Sequence, residues 1–520
     1  MALPVLVAGA GPVGLTLACE LDRLGVGYRI ADAAPERAAI SRATDLHARS
    51  LELWDRIGAA DAILQAGVSI TGVPLLSGGR EVARLDFGGV DSAFPAAVSL
   101  PQRDLEGLLG ARLSRPVERG RPIEIAWQED DSVVARVGGE QVRAAFVVAC
   151  DGVHSGLREA LGIPFDGGEY PGRWAVMDAA VDGWPYGAAE IPVFLDADGF
   201  WAMPLPGGRL RLFFRDDRVE VGERPEVADA QAVIDRHVAG SCRIREAENR
   251  ASFRLHHRVA RRYRSGRVLL AGDAAHAMTP VNGQGLNTGV QDAVNLGWKL
   301  RLAIDGAPSI VLDSYEQERR PVAIAAVEAS GAVHEANVLT GQAAAARDLG
   351  LAAAFASPAR ARAGVEAGHE LAVAYGDSPI VGGDQPPDGL GVAPGRRIPD
   401  AGPLVRPDGS VASLRDLMRD PGLQLWVCAG VGPPGEAVAL AARFAPVLRA
   451  RVIVTGELPA AAPPGVEVLA DPALRVHGRL GAESEASFVV RPDGHLGFRC
   501  RPPDEDRLAG HLGRLGVRAG

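Results

Sequence analysis

The stretch VLVAGAGPVGLTLACEL, residues 5–21, decides how the rest of the chain is read. An apolar run breaks into glycines and then resumes with apolar residues at helical spacing. A strand entering a helix through Gly9-x-Gly11-x-x-Gly14 matches a dinucleotide-binding turn. The first glycine permits the tight turn, the second lets a pyrophosphate approach the backbone, and the third lets helix and strand pack closely. The helix start offers free N–H groups and a positive dipole end to a phosphate. GYRIAD, residues 27–32, reads as a second strand ending at Asp32. That acid stands near the roughly 20-residue offset expected of a ribose-binding carboxylate. Strand, turn, helix, strand and acid appear in order, which predicts a bound nucleotide but leaves NAD and FAD open.

The whole chain sets bounds on this reading. Its 520 residues predict two to four domains, at roughly 100–200 residues per domain. Hydrophobic content of 47% with 23% charged residues is that of a globular protein. A net charge of −10 with scattered basic residues argues against nucleic acid or an anionic membrane as partner. Cys19, Cys150, Cys242, Cys428 and Cys500 are widely spaced and include no CxxC. They predict neither a disulfide framework nor a zinc site, and a reducing, cytoplasmic setting. No stretch reads as a membrane span. The uncharged residues 2–19 lack a basic leader and are interrupted by glycines and Pro12, so they do not read as a signal peptide.

Residues 68–100 and 122–150 read as strands around a helix at 100–113. Residues 170–260 are strand-rich and read as an inserted sheet, and a long helical tract runs from about 285 to 375. Residues 377–403 are dense in Pro and Gly and read as a linker. A smaller α/β domain follows from 404, with SFVVRPDGHLGFRC as a hairpin turned at Pro492-Asp493-Gly494. This domain holds a second glycine pattern, Gly430-x-Gly432-x-x-Gly435. Its Pro433 and Pro434 remove amides that would meet a phosphate, so no second nucleotide site is expected there.

The most specific stretch is RVLLAGDAAHAMTPVNGQGLNTGVQDAVNLGWKLRLAI, residues 267–304. A buried strand runs into Gly272-Asp273, where a carboxylate can bind a sugar or ribityl hydroxyl. Gly283-Gln284-Gly285-Leu286-Asn287 then opens a long helix, whose first N–H groups suit a developing negative charge. His276 reads as a packing histidine and Lys299, the only lysine, as structural. His256-His257 has no partner at metal spacing, so no metal site is expected.

Three motifs, GAGPVG at 9–14, CDGVHSGLR at 150–158 and GDAAHAMTPVNGQGLN at 272–287, occur in the order and at the spacing of a known family. Over about residues 3–375 the chain resembles the class A flavoprotein monooxygenases, of the phenol and aromatic-polyketide hydroxylase type. The remainder resembles the thioredoxin-like tail of the polyketide-hydroxylase subgroup, without a CxxC.

The resemblance implies an α/β fold: a Rossmann-like FAD-binding domain (1–169 and 263–376), an inserted β-sheet substrate domain (170–262), the linker, and a thioredoxin-like domain (404–520). It implies non-covalent FAD held by Gly9, Gly11, Pro12, Gly14, Asp32, Arg42, Gln102, Asp151, Gly272 and Asp273, with Gly283, Gly285, Leu286 and Asn287 at the flavin ring. Two departures stand out: Asp32 replaces the commoner Glu, and Val281-Asn282 replace small residues before GQG.

The implied chemistry is reduction of FAD by NADPH or NADH. O2 then adds at flavin C4a, and the distal oxygen of the hydroperoxide passes to an electron-rich aromatic carbon. The cofactor carries the chemistry, and no catalytic side chain is assigned. Trp201, Met203, Phe213 and Pro280 are the candidate substrate-pocket residues, and a multi-ring phenol or quinone is the expected substrate. Baeyer–Villiger or epoxidising oxygenation, and a flavin-binding protein without turnover, are the alternative readings. A monomer or homodimer is expected.

Overall fold

The computed structural model describes residues 3–518 except 39, 42, 431, 432 and 460, and only the backbone of 388. The strand Val5–Ala8 pairs in parallel with Tyr28–Asp32 on one side and Phe146–Ala149 on the other. Val268–Leu270 pairs in parallel beyond Phe146–Ala149, within a six-stranded sheet. All four residues of Val5–Ala8 are buried, as the continuous apolar run requires of a strand covered on both faces. This order brings three turns to one edge: the glycine loop after Val5–Ala8, Cys150-Asp151, and Gly272-Asp273.

The helix Pro12–Arg23 crosses the helix Gln284–Ile304 at close range. A Cβ at Gly289 would lie 2.6 Å from Val13 Cγ2 and 3.0 Å from Gly272 Cα, so glycine sets the approach. The expected helical tract is divided into Gln284–Ile304, Ile310–Asn337, Gly341–Phe355 and Pro358–Gly368. The breaks follow from local chemistry: Gly306 and Gly341 have positive φ, and Pro358 occupies the first turn of its helix.

A seven-stranded sheet forms the insert, in the order Arg243–Phe253, Trp174–Asp182, Arg209–Arg215, Phe200–Leu205, Val193–Phe194, Gly72–Ser77, Arg80–Asp86. Its last two strands come from a hairpin some hundred residues upstream of the others. Their pairing, Val193 to Leu75 and Phe194 to Leu76, is set by burial of Leu75, Leu76 and Phe194, which local sequence does not announce.

The C-terminal sheet has Gln424–Cys428 at its centre, parallel to Arg449–Val454 and antiparallel to Ala486–Val490. Ala486–Val490 and Leu496–Cys500 form the expected hairpin. Residues 377–403 are held along their length: Ile380 and Ile398 are buried, and Gly382–Gly383 pairs with Phe498–Arg499. The glycines there permit close backbone approach, since a Cβ at Gly391 would lie 2.6 Å from Leu480 O. No described helix is long and apolar enough to cross a membrane.

Candidate flavin site

The three glycines of the first turn do different work. Gly9 has φ +98°, and a Cβ there would lie 2.3 Å from Cys150 O. A Cβ at Gly14 would lie 2.0 Å from Gly9 O. Both positions are filled by the protein itself. Gly11 faces nothing within 4 Å, so its open side is where a phosphate can approach. Pro12 begins the helix, and no side chain caps it. Its first-turn N–H groups therefore remain for a ligand. Asp32 accepts from Ala10 N at 2.7 Å and Ala34 N at 2.8 Å, with Arg119 at 3.4 Å. The carboxylate shapes the loop as well as facing its rim, and its side chain keeps 19% exposure.

Arg42 lies outside the described residues. Its flanks are held firmly: Asn249 accepts from Ser41 N and donates to Ser41 O, each at 2.8 Å. Arg211 reaches Ala43 O at 3.3 Å and pairs with Asp178 at 2.7 Å. Gln102 stands at the start of Gln102–Gly110, with its backbone N–H on Ala43 O and its side chain on Glu106 at 2.8 Å. Burial raises the Glu106 carboxyl above its usual range.

Asp151 follows the central strand. One oxygen accepts from Leu157 N at 3.3 Å, and Oδ1 is buried without a partner among the described residues. Burial lifts its pKa above the ordinary value. Arg158, from the same motif, donates to Ala274 O at 3.1 Å, tying this turn to Gly272-Asp273. Gly272 has φ +60°, and Asp273 is exposed at the edge of the cleft.

Gly283, at φ +64°, starts the helix Gln284–Ile304 without a side-chain cap. A Cβ there would lie 2.4 Å from Asp45 Oδ2. Gly285 and Leu286 are half-buried, and Pro280 is exposed on the preceding turn. Val281 and Asn282 are half-buried beside them. Asn287 is fully committed within the protein: its oxygen accepts from His47 N and Ser50 Oγ, and its amide donates to Asp45 O and Gly283 O. What it can offer a ring is its backbone N–H. Gln284 Oε1 and Asp45 Oδ1 are buried without partners among the described residues. Open glycine, uncapped helix starts and orphaned polar atoms along one edge fit an extended polar cofactor ending in a ring.

Several residues here escape sequence reasoning. Asp292, wholly buried, accepts from Gly272 N at 3.1 Å, His276 Nε2 at 2.7 Å and Arg319 Nε at 2.7 Å. His276 is thus a packing histidine locked to a carboxylate. Glu370, in left-handed backbone at φ +59°, accepts from Thr288 Oγ1 and Gln291 Nε2. Burial raises its carboxyl, while it drives His369 down to about 4. Burial also presses on His47, but Asp45 at 3.4 Å holds that imidazole above its usual value. The QDAVNLGWKLR pattern was the only signal that could have found Asp292.

Strand alternation places Trp201, Met203 and Phe213 on one face of the inserted sheet. Trp201 and Phe213 stack with centroids 3.9 Å apart, and Trp174 lies 5.2 Å from Phe213. Met203 packs with Phe87 and Val365, beside His369.

Residues 2–330 match the FAD-binding domain family. The 6-methylpretetramide 4-monooxygenase of Streptomyces rimosus is 31% identical across 98% of this chain and 93% of its own length. The 12-dehydrotetracycline 5-monooxygenase/anhydrotetracycline 6-monooxygenase of Streptomyces rimosus subsp. rimosus is 37% identical over 62% of this chain and 67% of its own. Among solved structures, an anhydrotetracycline hydroxylase from Streptomyces rimosus superposes with TM-score 0.74 at 30% identity over 99% of both chains. An aromatic hydroxylase from angucycline biosynthesis gives 0.77 at 26% identity over 100% of both chains. The chain belongs to the FAD-binding domain family and is an FAD-dependent monooxygenase.

Proposed function

We propose that this monooxygenase hydroxylates a multi-ring phenol or quinone of polyketide type, with NADPH or NADH as transient reductant. The observation that carries the reading is the half-buried Trp201, stacked on the buried rings of Phe213 and Trp174 with buried Met203 beside it. This is an apolar, aromatic-backed patch of which Trp201 is the part a flat ligand can reach. Arg211, in register with Met203 on that sheet, has its charge matched by Asp178. It is therefore not a free clamp for a small carboxylate. The printed activities of the relatives, on tetracycline precursors, support the same substrate class.

FAD, when bound, would relay two electrons from NADPH or NADH to O2, so that one oxygen atom goes to the aromatic carbon and the other leaves as water. In this reading Gly9, Gly11, Pro12 and Gly14 hold the pyrophosphate, Asp32 the ribose, and Arg42, Gln102 and Asp151 the cofactor's flank. Gly272-Asp273 holds the ribityl chain. The helix start at Gly283, Gly285, Leu286 and Asn287 would offer N–H groups and its positive dipole end to the flavin ring, which gains negative charge on reduction. Pro280 and the aromatic face close the substrate side and exclude water. The division at 169/170, 262/263, 376/377 and 403/404 belongs to this proposal, as do a monomeric or homodimeric state and a cytoplasmic setting. The five free thiols support that setting.

NADPH oxidation over a panel of simple phenols, benzoates, quinones and anthracycline- or angucycline-like compounds, with product mass, tests the proposal. Coupled gain of one oxygen on multi-ring compounds is expected. Coupled hydroxylation of 4-hydroxybenzoate or phenol, with none on the multi-ring set, contradicts it.

A further inference from the structure

The hairpin turn of the C-terminal domain is buried against the flavin-binding fold. Arg491 grips Glu318 with two parallel bonds, at 2.8 and 2.7 Å, and Asp493 at 2.5 Å. Lys299 reaches Glu318 at 2.8 Å. Asp493 accepts from Asn295 and Trp298, each at 3.3 Å. The side chains of Lys299, Glu318, Arg491 and Asp493 are at most 4% exposed. Two positive and two negative charges thus balance out of water, and such a set persists only where geometry is well fixed. Burial pulls Lys299 down to about 8, whereas Arg491, with Lys299, holds the buried Glu318 at about 2.

The same turn touches a second helix. Arg49 donates to Asp493 O at 2.7 Å and Arg56 to Pro492 O at 2.5 Å. Both arginines lie on Ala48–Arg56, whose start at His47 is bonded to Asn287. Next to Glu318, Arg319 binds Asp292, which holds Gly272 N, and also Tyr375 Oη at 2.9 Å. The Tyr375 ring lies 5.1 Å from the Arg491 guanidinium and 4.4 Å from the His495 ring. The turn therefore sits between two helices that both begin at the flavin loop, and a continuous set of contacts joins it to the Gly272 turn.

We propose that Arg491 and Asp493 are positioning residues of the flavin site: the C-terminal turn sets the spacing between the Gln284–Ile304 and Ala48–Arg56 helices. It thereby sets the relative placement of the Gly283–Asn287 helix start and the Asp45–His47 segment. The C-terminal domain is then a working part of the cofactor site with no redox role of its own. Binding is reciprocal: what the turn gives to FAD affinity, FAD returns to the turn. This rests on the flavin ring lying at Gly283–Asn287. Gly11→Ala, which touches nothing in the turn, probes the cofactor assignment separately.

The test uses the full chain stripped of FAD and titrated with FAD by fluorescence quenching. Arg491→Gln is compared with Leu508→Ala, a wholly buried residue of the outer C-terminal helix, at matched loss of melting temperature. Arg491→Gln is expected to weaken FAD at least tenfold and to alter the resolved structure of the visible flavin band, with partial recovery in Arg491→Lys. Leu508→Ala is expected to keep FAD affinity within twofold. Should Arg491→Gln not fold, Asp493→Asn gives the same comparison. In the wild type, FAD is expected to slow hydrogen exchange across 486–500 at least threefold. Equal loss of affinity in both variants, affinity within twofold in both, or exchange at 486–500 indifferent to FAD would overturn the proposal.

Discussion

The two halves of the helix Gln284–Ile304 are built on opposite rules. Its first turn has no side-chain cap, begins at a left-handed glycine, and leaves Gln284 Oε1 buried without a partner among the described residues. Its second half carries Asn295, Trp298 and Lys299, whose donors all end on carboxylates of Glu318 or Asp493. A helix start without a side-chain cap leaves N–H groups open to water or to a ligand. In the second half the charges are matched within the protein, although the Asn295 side-chain oxygen is also buried without a partner among the described residues. In the proposed reading one end of this helix binds the cofactor and the other is held by the protein, and Asp292 lies between the two.

The largest effect is expected at that junction. Asp292→Ala leaves Arg319 buried without its carboxylate and releases Gly272 N, and removing one partner of such a pair costs about 3–5 kcal/mol. Thermal unfolding should show a drop of several degrees, and the protein should purify without colour. A yellow variant with the wild-type melting point would erase the distinction between the halves.

Asp273→Ala acts at the open end. Loss of a charge-assisted acceptor, roughly 1.5–3 kcal/mol, should weaken FAD by about ten- to hundredfold. Equilibrium titration measures this, and unchanged affinity removes Asp273 from the cofactor's partners.

What could be read from sequence, and what could not, follows the same division. Gly9, Gly14, Gly272 and Gly283 are legible because each answers a local need, a positive φ or a close approach, that few other residues meet. Asp32 and Asp273 are legible because their place after a strand is fixed by the turn beside them. The hairpin at Pro492-Asp493-Gly494 is legible as a turn, but its burial against Glu318 is not. That contact joins residues 173 apart, and no local pattern encodes it. The strands Gly72–Ser77 and Arg80–Asp86 join the inserted sheet for the same reason, through partners far along the chain. Asn287 is the instructive middle case: its position was legible, whereas the use of its whole side chain in bracing the loop was not.

A smaller effect is expected from pH. His369 and His495 are driven by burial to about 4 and His511 to about 3, so all three stay neutral in the fold. The unfolded chain binds protons at these groups near pH 6.5, so folded stability falls as pH drops from there toward 4. Each group adds a slope of up to about 1.4 kcal/mol per pH unit. His369 lies by the open end, and His495 and His511 lie in the C-terminal domain. Denaturant unfolding at pH 7, 6 and 5 checks the slope. His47 and His237 are held above the usual value and act in the opposite sense. The slope is therefore compared with those of His495→Gln and His511→Gln. A slope that neither substitution changes would mean that these rings are reached by solvent.

The most direct test of the open end is FAD titration of Gly11→Ala beside Gly14→Ala. A Cβ at Gly14 collides with Gly9 O, whereas one at Gly11 meets nothing in the protein. Gly14→Ala should therefore lose both fold stability and FAD. Gly11→Ala should melt as the wild-type apoprotein does and yet bind FAD at least tenfold more weakly. Wild-type FAD affinity in a well-folded Gly11→Ala protein would contradict the account.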